Sequence, residues 1–166
     1  MIVNIALLTV TDTRTIDNDK SGAILVDKIK ESNHNLVDRR ICKDNKDDIV
    51  LILKEWTNKK EIDVIITTGG TGLTGRDITP EALDEIADKH IPGFGELFRT
   101  ISLKSVGTSS IQSRACAVLS NGKYIFALPG SSGGVTDAWD QILIHQLDIN
   151  HKPCNFVELF PRLKEK

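Results

Sequence analysis

The sequence predicts an α/β fold, a helix–sheet–helix sandwich whose sheet is mainly parallel and carries one antiparallel hairpin. Three observations carry this. Short apolar runs rich in β-branched residues alternate with segments of helical period. Two of the later runs are separated only by Asn121-Gly122, a strong two-residue hairpin signal. The chain has 166 residues, 40% hydrophobic and 27% charged, which suits a single domain over residues 1–166 with a sizeable core.

Taken in order, residues 2–10 (IVNIALLTV) are apolar apart from Asn4 and Thr9, the mark of a strand buried on both faces. Residues 21–31 read as a helix capped by Ser21, with Ile24, Leu25 and Ile29 on one face. Residues 35–41 form a second strand. A helix then starts near Asp44 and places Ile49, Ile52, Leu53 and Trp56 at helical spacing. DVIITT (63–68) is a third strand, followed by a glycine-rich loop and a helix opened by Thr79-Pro80-Glu81 as cap, first-turn proline and first-turn acid. Residues 91–113 give one short amphipathic helix and then polar irregular chain. RACAVLS and KYIFALP form the hairpin, and PGSSGG (129–134) is a second glycine turn that leads into a last helix carrying Val135, Trp139, Ile142 and Leu143. The remaining tail reads as mostly irregular. Trp56 and Trp139 belong to the core, and the four histidines, without metal-ligand spacing, to the surface.

Composition narrows the function. A net charge of -2 makes no electrostatic case for nucleic acid or an anionic membrane as partner. No run approaches the roughly 20 apolar residues of a membrane span, and the N-terminus reads as a strand rather than a signal peptide. Cys42, Cys116 and Cys154 are odd in number and form no C-x-x-C pair, so a reduced, cytoplasmic protein is expected.

The chemistry concentrates in TTGGTGLTGRDITPEAL. Gly70, Gly72 and Gly75 spell G-x-G-x-x-G, but after the third strand rather than the first, and Asp88 lies too close and within a helix to serve as the ribose acid of a dinucleotide site. Gly70 to Arg76 nearly spells a P-loop, yet Arg76 and Asp77 stand where lysine and a hydroxyl belong. The reading that remains is backbone donors for an anion, from Gly69, Gly70, Thr71 and Gly72, beside a carboxylate able to hold a metal ion. Asp77 is either that ligand or a turn-former, and Asp44 either a ligand or a helix N-cap; the roles can coexist. Gly130, Ser131 and Ser132, at the start of the last helix, suit a phosphate or an ordinary capped turn. Thr11 and Asp12 end the first strand on the same side. Arg76 is a phosphate contact or a solvated charge.

TTGGTGLTGRDITPEAL, GFGELFRTISLKSVGTSSIQSRA and LPGSSGG together resemble the MoaB/MogA family of molybdenum cofactor biosynthesis proteins. SGAILVD, PGFGELFR, VGTSSIQSRA and PCNF are similar to the MoaB branch, and the resemblance runs from about residue 3 to residue 157. It implies a three-layer α/β fold that binds molybdopterin. Active members use ATP and magnesium to convert molybdopterin into adenylyl-molybdopterin and pyrophosphate, and that product then receives molybdate. Their two essential aspartates match Asp44 and Asp77 here, as catalytic and metal-holding residues. Some MoaB proteins lack the Arg-Asp-x-Thr pattern and are regarded as inactive; this chain keeps it. Ser102 and Ser113 match serines that line the site in relatives, at a spacing one residue longer than in the MogA branch. Ala127 stands where some relatives have asparagine. Members assemble as trimers or as hexamers of two trimers, so a homo-oligomer is expected, with the MoaB features favouring the hexamer. The alternative is a molybdopterin-binding protein of the same pathway without turnover.

Overall fold

The structure is a computed structural model and describes residues 1–165. One six-stranded sheet organises it: β1 (Asn4–Val10), β2 (Asn35–Cys42), β3 (Val64–Thr68), β4 (Lys89–His90), β5 (Cys116–Ser120) and β6 (Lys123–Leu128), in the order β2-β1-β3-β6-β5-β4. The strands β2, β1, β3 and β6 run parallel, and β5 turns back on β6 across Asn121-Gly122, whose φ angles of 48° and 72° suit that tight turn. Two-residue β4, unanticipated in the sequence, pairs antiparallel with β5 and closes the edge.

Both faces of the sheet are covered. Ile5, Leu7, Val64, Ile66 and Phe126 pack against α1 (Lys20–Glu31), α4 (Pro92–Val106) and α5 (Ser132–Ala138), through Leu25, Ile29, Phe98 and Val135, and against Trp139 just beyond α5. The alternate residues Ala6, Leu8, Ile65 and Ile125 pack against α2 (Lys46–Asn58) and α3 (Thr79–Ile86), through Ile49, Leu53, Trp56 and Leu83. Parallel strands buried on both faces read as continuous apolar runs for this reason. Among the described residues, no helix is long and apolar enough to cross a membrane.

Several local expectations need correcting. Helix α1 begins one residue earlier than expected and is capped by Asp19, whose carboxylate accepts from the Gly22 amide at 3.0 Å; Ser21 lies buried inside the first turn. Asn45, not Asp44, caps α2, accepting from the Asp48 amide. Thr79 is the first residue of α3 rather than its cap, and its hydroxyl donates to the Gly69 carbonyl at 2.9 Å. Helix α4 is a full 15 residues, and a 3₁₀ segment over Gly107–Gln112 replaces the irregular chain expected there. Helix α5 continues through a π-helical turn (Trp139–Leu143) into α6 (Ile144–Gln146). The tail is mostly irregular, as expected, but Val157–Arg162 is a 3₁₀ helix, and the rings of Phe156 and Phe160 pack tilted against Tyr124.

Candidate functional site

Because β1, β2, β3 and β6 are parallel and in register, with Val10 beside Cys42, Thr9 beside Thr68 and Thr68 beside Leu128, their carboxyl ends and following loops meet at one edge. They enclose a cleft of about 580 Å³, where ligands of open α/β sheets bind. Thr11, Asp44, the backbone of Gly69 to Gly72, and Asp77 line it, joined by Ser113, Gly130 and Ser131. Asp12 stands beside the cleft rather than in its lining. Ser102 and Ser132 line an adjoining cleft of about 620 Å³, which shares Ser113, Pro129 and Ser131 with the first.

The glycines differ in how strictly they are required. Gly69 has φ of 101°, and a Cβ there would lie 2.2 Å from the Val10 carbonyl oxygen. Gly70 has φ of 66°, and its Cβ would meet the Thr79 hydroxyl at 2.4 Å. Gly130 packs on Gly69, so the two glycine turns support each other. Gly75 has open space around it. The motif that resembles a dinucleotide fingerprint therefore includes a position with no steric need for glycine.

Arg114, which the sequence reading passed over, holds this loop. Its amide donates to the Thr71 carbonyl at 2.9 Å; its Nε and Nη2 donate to the carbonyls of Gly72 and Asp77 at 2.7 and 2.8 Å; its Nη1 pairs with Glu81. The only available signal was its place next to Ser113. Thr13, Arg14 and Gln112 also line the cleft without having been anticipated.

Three carboxylates gather here in unlike states. Both oxygens of Asp12 take the Arg76 guanidinium at 2.7–2.9 Å, which holds the Asp12 carboxyl below its ordinary range. Asp77 accepts from the Thr74 amide and hydroxyl at 2.8 and 2.7 Å; burial pushes its pKa up, but these hydrogen bonds outweigh it and the net shift is down. No side chain among the described residues donates a hydrogen bond to the Asp44 carboxylate. Burial first, and then the charge of Asp12, push its pKa up. Asp44 is thus a carboxylate among carboxylates with no cation directly on it, and hard oxygen donors of this kind suit magnesium. No three acidic, histidine or cysteine side chains among the described residues form a ready-made metal cage. Magnesium fits such a site, since it binds through one or two carboxylates and completes its shell with water and substrate phosphate.

A three-layer sandwich with a glycine-walled, acid-bearing cleft at the carboxyl ends of its parallel strands defines the class, and the family follows from sequence. The chain belongs to the molybdopterin-binding domain family: the family model described as "probable molybdopterin binding domain" matches residues 6–149. It is similar to molybdenum cofactor biosynthesis protein B of Escherichia coli strain K12, 43% identical over 161 residues that cover 97% of this chain and 93% of the relative. The protein of the same name from Bacillus cereus is 42% identical over 146 residues, 87% of this chain and 86% of that one. Among solved structures, a crystal structure of molybdenum cofactor biosynthesis protein B superimposes with a TM-score of 0.89 at 37% identity, covering 100% of this chain and 98% of the other. The tungsten cofactor synthesizing protein MoaB from Pyrococcus furiosus gives 0.77 at 33% identity, over 86% of this chain and 91% of the other. The expected fold class and the MoaB/MogA resemblance are both borne out.

Proposed function

We propose that this chain acts in molybdenum cofactor biosynthesis and transfers the adenylyl group of ATP to molybdopterin, releasing pyrophosphate. The observation that carries this reading is the convergence of Asp44 and Asp77, from separate loops, on one cleft walled by Gly69 to Gly72. A phosphate oxygen of the pterin attacks the α-phosphorus of ATP, and the bond from that phosphorus to the pyrophosphate oxygen breaks. The nucleophile is already an anion, so the chain needs no strong base; it must position two polyanions and offset their charge. Asp44 and Asp77 would hold magnesium, which when bound supplies charge neutralisation on the phosphates. The glycine backbone excludes side chains from the approach, Arg114 keeps that backbone in place, and Thr11, Ser113, Gly130 and Ser131 supply polar contacts to the substrates. Asp12 orders the Asp44 loop by accepting from the Asp44 amide at 3.2 Å. Ser102 and Ser132 serve the adjoining cleft, which gives the second substrate room next to the first. We assign the protein to the cytoplasm, on its unpaired cysteines, and to a homo-oligomer, a trimer or two stacked trimers, as the resemblance implies.

The test is incubation of the purified protein with molybdopterin, ATP and magnesium, with the products read by mass spectrometry. Adenylyl-molybdopterin and pyrophosphate are expected. The second reading, a molybdopterin-binding protein without turnover, draws on one observation: Asp77 is already engaged by Thr74. Tight pterin binding with no adenylylated product would decide for it.

A further inference from the structure

Among the described residues lining the cleft, the charged ones are Asp44, Asp77 and Arg14. Any phosphate-bearing ligand therefore meets two carboxylates and a single cation. Arg14 follows β1, in TDTR, and its Nη1 donates to the Gly130 carbonyl and to the Ser21 hydroxyl, both at 3.1 Å. Its Nε and Nη2 make no hydrogen bond within the described residues, and its side chain is 38% exposed. Half of a guanidinium fork is thus committed to the scaffold and half is left for a ligand.

Behind Arg14 lies Asp19, whose side chain is fully buried. Asp19 Oδ2 accepts from the Thr9 hydroxyl at 2.6 Å and from Arg39 at 3.1 Å, and Oδ1 accepts from the Gly22 amide at 3.0 Å. The pocket for this carboxylate is built in, since a Cβ on residue 22 would fall 1.9 Å from Oδ2. Arg14 Nη1 approaches Oδ1 at 3.9 Å. Asp19 is already neutralised by Arg39, so it does not need Arg14. The dependence runs the other way: Ser21, held by Asp19 at 3.3 Å, and Asp19 itself fix where Arg14 points.

We infer that Arg14 is the anion anchor of the cleft, taking phosphoryl oxygens of the ligand through its free Nε and Nη2, and that buried Asp19 is its positioning residue. The inference rests on the proposed adenylyl transfer for the identity of the ligand, but not for the chemistry, which is that of a phosphate ester or anhydride. Arginine suits this role because its planar fork meets two phosphate oxygens at once. It also puts an anion-binding cation in the same cleft as Asp44 and Asp77.

The experiment has two arms. First, inorganic pyrophosphate is titrated calorimetrically, without divalent metal, into the unmodified chain, Arg14→Gln and Arg14→Lys. Arg14→Gln should weaken binding about tenfold or more and reduce its salt dependence, with Arg14→Lys between. Second, affinities are compared for molybdopterin against its dephosphorylated alcohol, and for ATP against adenosine. In Arg14→Gln the preference for the phosphorylated member of one pair should collapse; which pair responds tells whether Arg14 holds the pterin or the nucleotide. Asp19→Asn should lower the same preference partially, whereas a purely structural role would lower the melting temperature and leave the preference intact. Should Asp19→Asn not fold, Ser21→Ala removes an acceptor of Arg14 without touching the buried carboxylate and should act in the same direction. Unchanged pyrophosphate affinity and unchanged preferences in Arg14→Gln would overturn the inference. Pyrophosphate binding that depends on Arg14, with no preference for phosphorylated pterin in the unmodified chain, would instead refute the pterin reading and leave Arg14 standing.

Discussion

The two loops that carry the paired aspartates are built on opposite plans. The loop from β3 to α3 is clamped at many points: Arg114 holds its carbonyls, Thr79 ties back to Gly69, and Thr74 satisfies Asp77. The loop from β2 to α2 is short, and Asn45 does the capping, which leaves the Asp44 carboxylate without a side-chain donor. One aspartate has been made part of the scaffold, the other has been kept in reserve against its own electrostatic interest. Groups held at a cost to stability are what functional clefts contain. Asp44 is therefore the better candidate for a side chain whose partner arrives with the substrate, while Asp77 is already engaged within its own loop.

The comparison can be broken most decisively by activity. If adenylyl transfer is the reaction, Asp44→Asn and Asp77→Asn should each lower turnover by at least roughly a hundredfold while pterin binding persists. Near-normal turnover in either would remove that residue from the metal site. Stability should separate the two. The raised pKa of Asp44 means that the folded state binds a proton more tightly than the unfolded chain does. Its ionisation thus costs stability as pH rises past the ordinary carboxylate value of 3.8 and on through its folded value. Asp77 is shifted the other way, so its contribution is present above 3.8 and is lost as pH falls through its lowered folded value. Thermal melts against pH should show Asp44→Asn equal to the parent in acid and slightly more stable near neutrality. Asp77→Asn should be the less stable variant near neutrality and converge on the parent in acid. Parallel curves for both variants would contradict the contrast.

Within the clamped loop the effects are steric and smaller. Gly70→Ala forces a side chain into positive φ against the Thr79 hydroxyl and should cost about 1–3 kcal/mol. Gly75→Ala has open space and a φ outside the positive region, so it should be neutral or gain about 0.4–1 kcal/mol by restricting the unfolded chain. Denaturant melts of the two variants give the answer, and equal losses at both would mean that the loop tolerates no substitution for reasons other than sterics. Arg114→Met should cost about 1–3 kcal/mol, because it strips a donor from each of two loop carbonyls and leaves Glu81 without its partner.

The strands and the large core residues were readable from the sequence because apolar runs of β-branched residues report burial on both faces directly. Asn121-Gly122 was readable because its backbone geometry admits few residues. The caps were misplaced by one or two positions wherever several polar residues compete, as in Asp19-Lys20-Ser21 and Asp44-Asn45, since hydrogen-bond geometry and not residue type decides the winner. The glycine loop and both aspartates stood out locally. Arg14 and Arg114 did not, because each acts through contacts distant in sequence, Arg14 with Gly130 and Arg114 with Gly72. No local pattern encodes such pairs. The short 3₁₀ turn in the tail went unseen for the same reason: Phe156 and Phe160 pack on Tyr124, on a distant strand.

The smallest effect is expected where the contact looks strongest. Arg76 meets Asp12 through a bidentate pair at 2.7–2.9 Å and links the β3–α3 loop to the β1–α1 loop. Yet the Arg76 side chain is 65% exposed, so the pair competes with water and salt, and the glycine loop is already held by Arg114 from the other side. Arg76→Ala should leave the melting temperature within the scatter of replicate melts, at low and at high salt alike. Its effect on turnover should be at most a few-fold, because the cation that faces the ligand is Arg14. A clear loss of stability on this substitution, vanishing at high salt, would show that the loop depends on its exposed latch as much as on its buried clamp. The two plans would then be one.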